Sequence, residues 1–143
     1  MKVVFADTGY WVAVLSPKDN WKERATAASR TLGKVRIVTT EMVLDELLAA
    51  LAKVAVRAMV IQGVDAIRSN PNIEVVPQTS LQFGEAFEAY RRTMDKAWSL
   101  TDCASFALMK ERGLRGCRRK QHIPLSSCLD KLQESANGGR CAR

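Results

Sequence analysis

Val3-Val4-Phe5-Ala6-Asp7-Thr8-Gly9 is a short apolar run, rich in β-branched residues, that stops on an acid and a turn-forming pair. Such a run has the form of a buried strand closed by a turn. Working outward, Tyr10 to Leu15 reads as the first turns of a helix, and Trp21 to Leu32 as a second with Ala25, Ala28 and Leu32 on one face. The Gly33-Lys34 turn then leads into a second strand, Val35-Arg36-Ile37-Val38. Thr39-Thr40 can cap the helix that follows, where Leu44, Leu47, Leu48 and Leu51 fall at i, i+3, i+4 and i+7 and Val54 and Ala55 continue the stripe. That spacing predicts a helix reaching about Val56, followed by another from Met59 to Ser69 that Asn70-Pro71-Asn72 breaks. Ile73-Glu74-Val75-Val76 is a third strand stopped by Pro77, and helices are expected over Leu81–Thr93 and Ser99–Arg112, the latter ended by Gly113. Strands alternating with helices imply crossover connections, an α/β fold and a mostly parallel sheet.

The chain of 143 residues supports one domain. Its 47% hydrophobic and 26% charged residues suit a packed core and exclude a disordered chain. The longest apolar candidate, Met42 to Ile61, is interrupted by Asp45, Glu46, Lys53 and Arg57, so no membrane span is expected. Val3 to Ala6 is too short for a signal-peptide core, which points to a cytoplasmic location. The cysteines at 103, 117, 128 and 141 form no C-x-x-C pair and the single histidine is His122, which speaks against a zinc site. Cys103 lies in an apolar helical pattern and reads as a small buried hydrophobe.

The net charge of +7 is unevenly placed. Residues 1 to 111 hold 14 Lys+Arg against 13 Asp+Glu, whereas residues 112 to 143 hold 8 against 2. The end of the chain also contains Asn137-Gly138-Gly139 and almost no periodic apolar pattern. It reads as a basic appendage, with RNA as a fitting polyanionic partner.

Ligands of open parallel sheets gather beyond the carboxyl ends of the strands, and Asp7 stands at such an end. It caps the following helix, or contributes to a site, or both. Glu46 has Val43 and Ala50 as helical neighbours, so its carboxylate rises from a partly apolar surface or lies solvated at a helix edge beside Asp45. Asp102 follows Ser99 in the spacing S-x-x-D, which by itself is a helix capping box. Taken together, three acids at helix starts or strand ends, without a catalytic histidine or zinc motif, point to a hard divalent cation, Mg²⁺ or Mn²⁺. Such an ion suits phosphodiester hydrolysis. There is no phosphate-binding loop, dinucleotide fingerprint or nucleophile elbow. Tyr10, Trp11, Trp21 and Trp98 read as core or rim aromatics.

Three segments carry a family resemblance: Val3-Val4-Phe5-Ala6-Asp7-Thr8-Gly9, Thr39-Thr40 through Leu44-Asp45-Glu46-Leu47-Leu48, and Asp95-Lys96-Ala97-Trp98-Ser99-Leu100-Thr101-Asp102-Cys103 continuing to Gly113. Together they resemble a PIN-domain protein of the VapC-type toxin class over about residues 2 to 114. The resemblance implies a three-layer α/β/α sandwich and a Mg²⁺- or Mn²⁺-dependent ribonuclease. It also implies a toxin restrained by a cognate antitoxin, and a homodimer. By motif match Asp7, Glu46 and Asp102 are the metal-holding catalytic acids, and Thr8 is the small hydroxyl residue that helps hold water or metal. Residues 1–114 would then be the PIN-like domain and 115–143 an atypical basic tail. The family's fourth acid would fall near Gln121, beside His122, yet no acid stands there; Asp130 and Glu134 come later. The tail is either a divergent ending or out-of-frame sequence. Two other readings follow: a catalytically impaired PIN-like protein that binds antitoxin or RNA, and a basic RNA-binding module with structural acids.

Overall fold

The computed structural model describes residues 2–15 and 35–116. The helix expected over Trp21–Leu32 and the tail from Cys117 lie outside the described residues. Four strands, β1 (Lys2–Phe5), β2 (Val35–Thr40), β3 (Ile73–Val76) and β4 (Arg115–Gly116), form one sheet in the order β3-β2-β1-β4. Every pairing is parallel: Phe5 stands opposite Val38 and Gly116, and Thr40 opposite Val76.

Adjacent residues on a strand point to opposite faces. Val4 and Phe5 are both buried, as are Ile37 and Val38, so both faces of the central strands are covered. That is the condition a parallel sheet requires, and it makes the domain an α/β/α sandwich. Phe5, Val38, Val43 and Leu47 lie at the centre of the core, joined by Trp11, Ile67, Val76 and Leu108. Among the described residues no helix is long and apolar enough to cross a membrane.

The helices are α1 (Thr8–Leu15), α2 (Glu41–Ala50), α3 (Arg57–Ser69), α4 (Ser80–Arg92) and α5 (Leu100–Glu111), with a 3-10 turn at Val54–Val56. Two expectations need correction. Thr39 belongs to β2 and is fully buried, paired with Val75, so Thr40 alone caps α2 by accepting from the Val43 N–H at 3.1 Å. The leucine helix also stops at Ala50 instead of running to Val56. Leu44 and Leu47 are buried, but Leu48 is exposed and Val54 is 84% exposed, so the apolar spacing outlasts the surface it could pack on. The chain turns at Leu51, and Arg57 donates to the carbonyl of Ala52 at 3.1 Å, giving that backbone acceptor a partner outside the helix.

Cys103 is buried and free, as a small core hydrophobe would be. Gly113 closes α5 at φ +62°, the left-handed conformation that only glycine adopts without cost.

Candidate active site

The carboxyl ends of β1 and β2 lie side by side, and the segments leaving them bring the acids to one edge. Asp7 follows β1 and caps α1: its Oδ1 accepts from the Tyr10 N–H at 2.8 Å, while its carbonyl accepts from the Trp11 N–H at 3.3 Å. Glu46 sits one and a half turns into α2, above buried Val43. The Thr8 hydroxyl, 5% exposed, donates to Glu46 Oε2 at 2.7 Å and so fixes the direction of that carboxylate. Asp102 lies in the first turn of α5 and completes a capping box, its backbone N–H donating to Ser99 Oγ at 3.0 Å and its Oδ2 accepting from the Ser99 N–H at 2.9 Å.

Asp7, Glu46 and Asp102 line one open cleft of about 280 Å³, together with Thr8. The capping geometry read for Asp7 and Asp102 is therefore present, and it coexists with a place in the cleft. Asp95, in the third motif, lies elsewhere: it is largely exposed and pairs with Lys96 at 3.2 Å.

The cleft suits a hydrated divalent cation better than a caged one. Among the described residues no three carboxylate, thiolate or imidazole groups stand close enough to hold an ion in common. Each acid has one oxygen tied to a neighbouring donor, and like charges spread apart when nothing neutralises them. Mg²⁺, however, keeps several of its waters and binds through one or two carboxylates, and the cleft has room for that shell. The donors are hard oxygens, and Glu46 Oε1 and Asp102 Oδ1 make no hydrogen bond among the described residues.

Two contributors were not singled out from sequence. Trp11 Nε1 donates to Thr39 Oγ1 at 3.1 Å, and Thr39 Oγ1 donates to the carbonyl of Ala6 at 2.9 Å, tying α1 and β2 to the residue before Asp7. Trp11 is thus a core aromatic, as its sequence context suggested. Ser105 also lines the cleft, three residues after Asp102 on α5; that spacing, which places two residues on one helix face, was the available signal.

A parallel α/β sandwich that gathers acids from β1, α2 and α5 at its carboxyl edge defines a class, and the PIN-domain family model matches residues 4–115. The chain belongs to the PIN-domain family. Among solved structures it is similar to the Mycobacterium tuberculosis toxin VapC20, described as cleaving the Sarcin-Ricin loop. That match has a TM-score of 0.63 at 24% identity and covers 78% of this chain and 84% of VapC20. No curated protein matches the chain.

Proposed function

We propose that the chain is a divalent-metal-dependent endoribonuclease and the toxin of a toxin–antitoxin pair. The observation that carries this reading is the delivery of Asp7, Glu46 and Asp102 from three separate elements into one cleft. Membership of the PIN-domain family, with a fold like that of VapC20, a Sarcin-Ricin loop cleaving toxin, supports RNA as the substrate class. Asp7, Glu46 and Asp102 would hold hydrated Mg²⁺ or Mn²⁺ between them, one or two directly and the rest through the ion's waters, with Thr8 keeping Glu46 turned toward the cleft. When bound, such an ion lowers the pKa of water and stabilises charge on phosphate oxygens. The protein's part is to orient the carboxylates through the Asp7 cap, the Thr8–Glu46 bond and the Ser99–Asp102 box, so that all three line the cleft a phosphodiester would enter.

The partners in this reading are RNA, a cognate antitoxin and a second copy of the chain. Phe83, Phe87 and Tyr90 form an exposed stripe on α4, with Met94 just beyond it. Glu85 lies near the middle of that helix, and Glu88 in its second half pairs at 3.5 Å with Arg91, which shares the last turn with Arg92. Pairing of two copies across this stripe would bury its aromatic rings in an apolar seam.

The full chain is expected to cleave single-stranded RNA with Mg²⁺ or Mn²⁺, and EDTA to stop it. Asp7→Asn keeps an oxygen to cap α1 but removes the charge, so it should abolish cleavage without unfolding the protein. Unchanged cleavage by this variant would refute the mechanism. A second reading, a catalytically impaired PIN-like protein that binds antitoxin or RNA, is favoured by the missing acid near Gln121. An inactive but RNA-binding or antitoxin-binding parent chain would select it.

A further inference from the structure

The cleft contains a hydroxyl that the fold does not use. Ser105 stands on the face of α5 that carries Asp102, lines the same cleft and is only 4% exposed. Thr8 donates to Glu46 and Ser99 accepts from the Asp102 N–H, but Ser105 Oγ makes no hydrogen bond among the described residues. Among the described residues no enclosed side-chain oxygen or nitrogen lacks a partner, so the Ser105 Oγ is open to the cleft and its bonding capacity is left to whatever enters there.

The chemistry of that visitor follows from the neighbouring groups. Ionised Asp7, Glu46 and Asp102 are acceptors only, and so are the nonbridging oxygens of a phosphodiester. A phosphate entering such a site needs a donor that the carboxylates cannot supply. We propose that Ser105 is a substrate-binding residue whose Oγ–H donates to a nonbridging phosphate oxygen of RNA held in the cleft. The assignment rests on the ribonuclease reading above and adds a contact to the substrate itself.

Ser105→Ala removes the hydroxyl and breaks no hydrogen bond of the described fold, so its effect is separable from stability. The full chain and the variant are compared on a fluorescein-labelled single-stranded oligouridylate with Mg²⁺, by KM and by fluorescence anisotropy. Tm and Mn²⁺ affinity, the latter by calorimetry, are measured in parallel. Loss of a charge-assisted hydrogen bond should raise KM and the anisotropy Kd about tenfold, with Tm and Mn²⁺ affinity unchanged. Unaltered KM and Kd would overturn the proposal. So would an equal weakening of Mn²⁺ binding, which would place Ser105 on the metal, or a fall in Tm, which would make it structural. If the parent chain binds the oligouridylate without cutting it, the ribonuclease reading fails while the anisotropy comparison still decides Ser105. If the parent chain does not bind it at all, the Ser105 contact is lost too.

Discussion

Thr8 links two acids that are 39 residues apart in the chain, standing next to Asp7 and donating to Glu46 at 2.7 Å. The hydroxyl does its work by orientation, because a half-buried glutamate on a helix has rotamers to choose from and this bond selects one. Thr8→Val keeps the shape and removes the donor. The expected result is a fall in kcat/KM of about tenfold, or about 1.4 kcal/mol, with a change in unfolding free energy below about 1 kcal/mol since Glu46 can turn to solvent. Parallel kinetics and urea denaturation check this, and a loss of stability with intact kinetics would assign Thr8 to the fold alone. At this scale sequence left Asp7 and Asp102 with two readings, cap or ligand, and Glu46 as either a solvated helix-edge acid or a carboxylate wanting a partner. For Asp7 and Asp102 the cap is formed and both residues line the cleft as well.

The capping box at the start of α5 joins local folding to the site. Ser99 is expected to contribute about 1 kcal/mol through the Asp102 N–H, and the reciprocal bond sets where Asp102 points. Ser99→Ala should therefore lower stability by about 1 kcal/mol and, by releasing Asp102, lower cleavage more than stability loss accounts for. Denaturant midpoints against initial rates test it; rates that track the folded fraction alone would deny the positioning role. The elements themselves were legible where local chemistry decides them: β1 and β3 by β-branched runs, α5 by Ser99 at one end and Gly113 at the other. The end of α2 was not, because Val54 and Ala55 keep helical spacing while the chain has already turned. Periodicity reports which residues could share a face, and packing decides whether that face meets anything.

For the molecule as a whole, the exposed stripe of α4 is the face proposed for association with a second copy. Phe83 and Phe87 stack at 6.3 Å between centroids, with Arg91 lying 4.9 Å from the Phe87 ring, so these side chains share one surface of the helix. Phe87→Lys places a charge in the seam, beside Arg91, and should convert a dimer to a monomer in sedimentation equilibrium while leaving the secondary structure unchanged. A dimer that survives this change would lie on another face. The sequence by itself determined the alternation of strands and helices and the parallel sheet that alternation implies, and it singled out three acids that line one cleft. Those follow from residue type and short-range spacing, which bind the chain within a few turns. Only the tertiary structure decided that Thr39 would bridge Trp11 and Ala6, that Thr8 would hold Glu46, and that Ser105 would stand unpartnered in the cleft. Each of these depends on a hydroxyl from one element meeting a group, or failing to meet one, across a distance that the packing of the sheet and its helices sets.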